Sequence, residues 1–314
     1  MNFYFAPMEG LTDSIYRRLH HKYFGGVDRY YMPFLSPTVH RALTPRETRE
    51  LPPADSVGFD AVPQLLTKNA ADFLWMAQQC KALGYEEVNL NLGCPSGTVT
   101  AKGKGSGMLR DPDGLDAFLY EVFSNAPLPI SVKTRLGFES SEEFPRLLEI
   151  FNRYSICELT VHPRVRAQFY KGSVDMDAFR YALANSSSPL CYNGNLTTLS
   201  QIEAFQQEFP EVKSIMLGRG LIGDPGMLVP GGTTISALEG FMNELLEEYA
   251  LVFGSQRNAM FRLKENWGLL CRRFEGSEKL TKKLRKCTDY EEFKAITAQL
   301  LHTLPLAAEL QADW

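Results

Sequence analysis

The chain reads ISVKTR at 130–135, ELTVH at 158–162, PLCYN at 189–193 and KSIMLG at 213–218. Each run is short and rich in apolar and β-branched residues, which is typical of a buried strand. Four more runs of this kind precede them, at 3–6, 28–33, 61–65 and 87–92. Short strands at this spacing indicate parallel βα units.

Helical periodicity fills most of the gaps between these eight runs, at 13–23, 69–83, 113–123, 142–154, 176–184 and 200–208. Asn69 and Ser200 are predicted to cap two of these helices. Eight βα units close a barrel, whereas an open doubly wound sheet would commonly carry a G-x-G-x-x-G loop after its first strand. The chain has APMEGLTD there, at 6–13. We therefore predict an α/β fold, a (β/α)8 TIM barrel over residues 1–235.

The pattern changes after a glycine- and proline-rich stretch at 223–232. Helical periodicity follows at 237–253, 259–274, 279–286 and 290–302, which predicts a small all-α helical bundle over 236–314. Residues 255–289 contain ten basic and four acidic residues, so this segment carries +6 and the rest of the chain −10. A basic appendage on an acidic body is typical of a protein that binds a polyanion.

Composition excludes several classes of protein. A chain of 314 residues with 44% hydrophobic residues can bury a large core, and no apolar run approaches the ~18 residues that span a bilayer. The first residues have no basic flank or apolar leader, the six cysteines are dispersed, and the five histidines have no metal-binding spacing. We expect a cytoplasmic protein with reduced cysteines, no membrane segment and no structural metal.

Polar or glycine-containing residues stand at the carboxyl end of nearly every predicted strand. They are Pro7-Met8-Glu9, Gln64, Asn91 with Cys94, Lys133 with Arg135, His162 with Arg164, Asn193-Gly194-Asn195 and Gly218-Arg219-Gly220. In a barrel these strand ends converge on one face, where active sites lie. We therefore expect the active site there.

The segments after the seventh and eighth strands, 193–195 and 218–220, occupy the place where many barrels bind a cofactor phosphate. Glycine lets the backbone approach closely, and Arg219 can add a charged hydrogen bond, although each segment alone is also an ordinary turn. Lys133 is either a lysine that reaches solvent from a strand end or a cation for the anionic edge of a reduced flavin. Gln64 can contact the same ring, and Met8 can lie against its face.

Cys94 lies in NLNLGCPSG, and its loop runs on to a glycine-rich segment at 102–109, which we expect to be mobile. A thiol of ordinary pKa is mostly protonated at neutral pH, so it can donate a proton as well as act as a nucleophile. The alternative, a small buried hydrophobe, fits Cys80, Cys157 and Cys191 better.

Together these segments resemble the tRNA-dihydrouridine synthase family. The matching pieces follow one another in order across almost the whole barrel: APMEGLTD (6–13), the strand of Gln64, NLNLGCPS (89–96), GSGML (105–109), SVKTRLG (131–137), TVHPRVRAQFYKGSVD (160–175), NGN (193–195) and GRGLIGDP (218–225). The chain departs from the family at 162–165, where H-G-R-T is common. It departs again at Asn195, where an acidic residue is common, and at Leu221, where GRGA is common.

The resemblance implies FMN as cofactor, NADPH as reductant and a uridine of the tRNA D-loop as substrate. The residues it implies for FMN are Pro7, Met8, Glu9, Gln64, Lys133, His162, Asn193, Gly194, Asn195, Gly218 and Arg219. It implies that Asn91 lies in the substrate pocket and that Cys94 is the proton donor. We further assign Arg135 and Arg164 to the substrate.

In the basic tail, Lys279, Lys282, Lys283 and Lys286 share one face of a predicted helix at i, i+3, i+4 and i+7. Residues 279–286 contain no acidic partner, so we predict that this face binds the tRNA backbone. Two alternatives stay open: a small-molecule flavin enzyme of the dihydroorotate dehydrogenase type, which leaves the tail without a purpose, and a non-catalytic tRNA-binding protein, which leaves Lys133 and Cys94 without one.

Overall fold

The computed structural model describes residues 1–38 and 40–311. The last three residues of the predicted tail, 312–314, lie outside the described part. Within that part, nine parallel strands form one sheet. They are β1 (Asn2–Phe5), β2 (Arg29–Tyr31), β3 (Ala61–Val62), β4 (Gln64–Leu65), β5 (Val88–Leu92), β6 (Ile130–Arg135), β7 (Leu159–His162), β8 (Leu190–Tyr192) and β9 (Ser214–Leu217).

The sheet closes into a barrel. Its strand order runs β3-β2-β1-β9-β8-β7-β6-β5-β4, so its two ends are consecutive in the chain. β3 and β4 are the two halves of the predicted strand at 61–65, divided at Pro63, and they pair with β2 and β5 respectively. The prediction of a (β/α)8 barrel is confirmed.

Thirteen α-helices lie in the described residues. They are α1 (Ser14–Tyr23), α2 (Pro45–Glu50), α3 (Ala70–Ala82), α4 (Gly97–Thr100), α5 (Pro112–Asn125), α6 (Phe144–Phe151), α7 (Met176–Asn185), α8 (Leu199–Glu208), α9 (Arg219–Gly223), α10 (Ile235–Phe253), α11 (Gln256–Leu270), α12 (Glu278–Lys286) and α13 (Tyr290–Thr303). The short helices α2, α4 and α9 were not predicted. None of these helices is long and apolar enough to cross a membrane.

Apolar side chains fill two regions. A large cluster lies between the strands and the surrounding helices, and it includes Leu190 and Tyr192 of β8. A smaller cluster includes Tyr31, Cys191 and Met216, which occupy strand positions that alternate with those of the large cluster. Because successive side chains of a strand point to opposite faces, the smaller cluster lies on the inner face of the barrel. The barrel is therefore packed inside.

The C-terminal helices pack on the barrel next to two loops at the carboxyl ends of its strands. The ring of Phe241 on α10 meets Tyr16 of α1 edge to face, with 5.2 Å between centroids. Arg262 of α11 pairs with Asp13, at 2.8 Å, just after the β1 loop. Arg273 pairs with Asp224, at 3.0 Å, at the end of α9. The helical tail is thus fixed beside the β1 and β9 loops.

Candidate active site

A cavity of about 360 Å³ opens at the carboxyl ends of the strands. Fifteen of the residues singled out in the sequence line it: Pro7, Met8, Glu9, Gln64, Asn91, Cys94, Lys133, Arg135, His162, Asn193, Gly194, Asn195, Gly218, Arg219 and Gly220. They come from seven separate strand ends, because the parallel strands all present their carboxyl ends to the same face.

The cavity is rich in positive charge. Burial, together with the neighbouring Arg135, lowers the pKa of Lys133 to about 7. Burial also lowers the pKa of Arg135 and of Arg219 to about 10. Glu9 brings a carboxylate to the lining, but that carboxylate pairs with Arg46 at 2.6 Å. Cations held in a poorly solvated place favour an anionic ligand, because it restores the charge balance.

His162 is held in one protonation state. Its Nε2 lies 3.0 Å from Nη1 of Arg164, and an arginine can only donate, so Nε2 accepts. Burial and the surrounding arginine and lysine side chains hold the pKa of His162 well below its ordinary value. The imidazole is therefore neutral, with its proton on Nδ1.

The position of Arg164 differs from the one expected for a residue that contacts the substrate. It is fully buried, and it is not part of the cavity lining. Its guanidinium donates to Asn195 Oδ1 at 3.1 Å and to the carbonyl oxygen of Gly172 at 2.5 Å, besides contacting His162. Arg164 thus holds two cavity residues in place from behind.

Cys94 and Asn91 are joined through the backbone. The amide N–H of Cys94 donates to Asn91 Oδ1 at 2.9 Å, and Asn91 Nδ2 donates to Gln64 Oε1 at 2.7 Å. The Cys94 thiol is partly exposed to the cavity, and burial raises its pKa. A reactive nucleophilic cysteine has a lowered pKa, so this protonated thiol is better suited to donate a proton.

The glycine-rich segment beside Cys94 is packed over residues 105–109, whereas a mobile loop was expected over 102–109. Residues Gly105–Arg110 form a 3₁₀ helix in which Gly105 to Leu109 are buried. A Cβ on Gly105 would lie 3.0 Å from the Cβ of Cys94, and one on Gly107 would lie 2.9 Å from the carbonyl oxygen of Thr100. The glycines are there for close packing around the Cys94 loop.

A sequence model of the dihydrouridine synthase family matches residues 4–303. The chain belongs to this family. The predicted resemblance and the predicted enzyme class, an oxidoreductase, are thereby confirmed.

Two curated members of the dihydrouridine synthase family match along nearly their whole length. The probable tRNA-dihydrouridine synthase of Rhizobium leguminosarum bv. phaseoli is 27% identical over 96% of this chain and 95% of its own. The tRNA-dihydrouridine(16) synthase of Neisseria meningitidis serogroup B is 24% identical over 94% of this chain and 93% of its own. Among solved structures, the old yellow enzyme from Trypanosoma cruzi superposes with a TM-score of 0.54 at 10% identity, covering 72% of this chain and 86% of that one. That likeness shows the barrel fold.

Two aromatic residues that were not singled out from the sequence also line the cavity, Phe169 and Tyr170. The guanidinium groups of Arg219 and Arg135 lie 5.0 and 5.4 Å from the centroid of the Tyr170 ring. Phe169 has a φ of +52°, which is rare for a bulky side chain and is often found at functional sites. The FYKG segment at 169–172 could have indicated them, because it belongs to the stretch after His162 that carries the family resemblance.

The four tail lysines lie on α12, away from the cavity lining. Lys279, Lys282, Lys283 and Lys286 are all exposed, whereas Leu284 of the same helix is fully buried. Among the described residues, no acidic side chain pairs with any of the four. The helix therefore presents an uncompensated basic face. Throughout residues 1–38 and 40–311, no group of three or more acidic, histidine or cysteine side chains is arranged to hold a metal ion.

Proposed function

We propose that the protein reduces a uridine in the D-loop of tRNA to 5,6-dihydrouridine, with FMN as cofactor and NADPH as reductant. Membership of the dihydrouridine synthase family supports the reaction, and the names of the relatives, which specify tRNA, support tRNA as the substrate. The observation that carries the proposal is that Cys94, a thiol whose pKa is raised by burial, and Lys133, a buried amine whose pKa is lowered, line one cationic cavity at adjoining strand ends.

The donors of the cavity fit FMN. Its phosphate would lie against the 193–195 and 218–220 segments, where Arg219 Nη2 already lies 3.3 Å from Asn195 Oδ1 and forms a polar rim. Its ring would lie near Met8, Gln64 and Lys133, with the ammonium at the edge that becomes negative on reduction. When bound, FMN supplies hydride from NADPH to C6 of the uracil ring.

Cys94 completes the addition. Hydride at C6 leaves negative charge at C5 and on the carbonyl oxygen beside it, and the thiol transfers its proton to C5. The resulting thiolate lies near Lys133 and Arg135, both of which lower the pKa of Cys94 and so stabilise its anion. Solvent then returns a proton to the sulfur, and the ring has gained the two hydrogens of dihydrouridine.

In this proposal the helical tail binds the tRNA backbone. We propose that residues 1–235 form the catalytic domain and residues 236–314 the tRNA-binding domain. Lys279, Lys282, Lys283 and Lys286 then neutralise backbone phosphates while the uridine leaves its stack and enters the cavity. Because the tail is fixed beside the β1 and β9 loops, it holds the RNA on the face where the cavity opens.

The basic face of α12 also separates this function from a small-molecule flavin enzyme of the dihydroorotate dehydrogenase type. Such an enzyme needs the barrel and the cation but has no use for an exposed lysine face. A non-catalytic tRNA-binding protein, in turn, has no use for the raised pKa of Cys94 beside the lowered pKa of Lys133.

The test begins with the purified protein and its visible spectrum. We expect a yellow protein with bound FMN, bleached by NADPH under anaerobic conditions and reoxidised by uridine-containing tRNA but not by orotate. A colourless protein that takes up no added FMN would refute the cofactor. Reoxidation by orotate would move the chain to the small-molecule class.

A further inference from the structure

A chain of buried hydrogen bonds leaves the active site and runs down the inside of the barrel. It begins at Asn91 Oδ1, which accepts from the backbone N–H groups of Gly93 at 3.1 Å and Cys94 at 2.9 Å. Asn91 Nδ2 donates to Gln64 Oε1 at 2.7 Å. Gln64 Nε2 then donates to Asn89 Oδ1, also at 2.7 Å. Three amides on two neighbouring strands, β4 and β5, are thus linked in series.

The chain continues to the opposite end of the barrel. Asn89 Nδ2 donates to Ser131 Oγ at 2.9 Å, and the Ser131 hydroxyl donates to Glu87 Oε1 at 2.5 Å. The other oxygen of Glu87 pairs with Arg29 at 2.7 Å. Asn89 and Ser131 are fully buried, so no water competes for these bonds. The path therefore ends on a carboxylate at the far face.

Both ends of this chain fix its direction. The oxygen and nitrogen of an amide have nearly the same shape, so an asparagine or glutamine can be turned over at little steric cost. A backbone N–H can only donate, however, and a carboxylate held by an arginine can only accept. Starting from Cys94 or from Glu87, every amide between them is assigned the same orientation. The series of hydrogen bonds is therefore consistent with one direction of donation only, from Cys94 towards Glu87.

This direction decides what Asn91 offers to the cavity. Its oxygen already accepts two backbone N–H groups, and one hydrogen of its Nδ2 is used by Gln64. Among residues 1–38 and 40–311 no further acceptor takes the second hydrogen on Nδ2, and Asn91 lines the cavity. Towards a ligand, Asn91 is therefore a donor.

We propose that Asn89, Ser131 and Glu87 are positioning residues that hold Asn91 as a hydrogen-bond donor, so that the cavity accepts the C4 carbonyl of uracil and rejects the C4 amino group of cytosine. The choice between these two bases rests on the proposed function. An amino group opposite the Asn91 donor leaves two donors facing each other, and a lost hydrogen bond with a buried unpaired donor is costly.

Two substitutions break the chain far from the cavity. Glu87→Gln replaces the acceptor by an amide that can also donate, so only the Cys94 end still fixes the direction and Asn91 is held less firmly. Ser131→Ala removes the link between Asn89 and Glu87. The matched controls are Glu86→Gln, the same change at the exposed neighbour, and Asp60→Asn, which removes the second carboxylate of Arg29 (Nε to Oδ2, 2.7 Å) but leaves the chain intact.

The first readout needs no RNA. Hydrogen exchange of the Gly93 and Cys94 backbone amides reports whether Asn91 Oδ1 still accepts from them, in the FMN-loaded full-length protein. We expect exchange to be faster by about 2- to 10-fold in Ser131→Ala and Glu87→Gln, the range of a net hydrogen-bond contribution. The two controls should match the wild type. Unchanged protection in both chain variants would overturn the positioning role.

The second readout is base choice. Dissociation constants are measured with oxidised enzyme for a tRNA transcript carrying the reactive uridine and for one carrying cytidine there. We expect the wild type to prefer uridine and the two chain variants to lose about 5-fold or more of that preference, with FMN content unchanged. A preference equal to the wild-type value in both variants would refute the inference. If the wild type itself reduces no tRNA uridine, the proposed function fails, and the exchange experiment still decides the positioning role.

Discussion

Replacing Lys133 by methionine keeps the length of the side chain and removes its charge. In the free protein, burial and Arg135 bring the pKa of Lys133 from 10.5 down to about 7. At about 1.36 kcal/mol per pKa unit, this is a cost of roughly 5 kcal/mol for the charged ammonium. An anion beside Lys133 that returns its pKa to the ordinary 10.5 recovers that amount. The reduced flavin is such an anion, whereas the oxidised ring is neutral.

The effect should appear in the reduction potential of bound FMN. At pH 8 a free pKa of about 7 leaves most Lys133 neutral, so the recoverable part falls to roughly 3.4 kcal/mol. For a two-electron couple, about 1.4 kcal/mol corresponds to ~30 mV, so Lys133→Met should lower the potential by about 70 mV at pH 8. The difference in reduction potential between the wild type and Lys133→Met should narrow by about 30 mV per pH unit above pH 7. The reason is that the neutral Lys133 amine of the wild type must take up a proton, at a cost that grows with pH.

The assay is equilibrium reduction of the holoenzyme against a reference dye at pH 7, 8 and 9. Lys213→Met, at an exposed lysine before β9, is the control and should leave the potential unchanged. The reasoning would be refuted by a Lys133→Met protein with the wild-type potential. It would equally be refuted by a difference that does not narrow between pH 7 and pH 9.

Three further predictions concern the thiol, the tail and the phosphate segments. Cys94→Ala should slow uridine reduction by ~10²–10⁴-fold and leave flavin reduction by NADPH intact. Cys157→Ala, at a cysteine that is exposed and not buried as the sequence suggested, should change neither rate, and wild-type uridine reduction in Cys94→Ala would make Cys94 a packing residue. Changing the four α12 lysines to glutamine should weaken tRNA binding and reduce the log–log salt slope by roughly 0.7–0.9 for each phosphate that is no longer neutralised. The double change Lys81→Gln with Lys213→Gln should not, and an unaltered slope in the quadruple variant would place the RNA elsewhere. Gly194→Ala should lower stability by about 1–3 kcal/mol in denaturant unfolding, because its Cβ would lie 1.9 Å from the Tyr192 hydroxyl oxygen. Gly97→Ala, with open space around it, is the control, and equal stability of the two variants would contradict the packing argument.

The barrel could be predicted from sequence because each strand is a local apolar run that ends in a polar or glycine signature. Local signals also gave the Asn69 cap, whose Oδ1 accepts from the Asp72 N–H at 2.9 Å. The predicted cap at Ser200 was wrong, since Thr198 performs that role by accepting from the Gln201 N–H at 3.2 Å. In T-T-L-S several residues can cap, and only packing decides which one does.

The cavity residues could be predicted because they stand at the carboxyl ends of the strands, and in a barrel these ends all lie on the same face. What sequence could not supply is the direction in which a side chain is turned by contacts from distant segments. Arg164 is not part of the cavity lining, because its guanidinium is held by hydrogen bonds to Asn195 Oδ1 and to the backbone carbonyl oxygen of Gly172. The loop after Cys94 looked mobile because glycine signals both freedom and close packing, and only the neighbouring Cys94 and Thr100 distinguish the two.

The proposed reaction adds hydrogen across the C5–C6 bond of a tRNA uridine. Its most direct test is mass spectrometry of nucleosides from unmodified tRNA after incubation with the purified holoenzyme and NADPH. We predict a nucleoside heavier than uridine by two hydrogen atoms, formed by the wild type and strongly reduced with Cys94→Ala. Complete oxidation of NADPH by air with no such nucleoside in any tRNA, from an enzyme that binds both FMN and tRNA, would contradict this proposal.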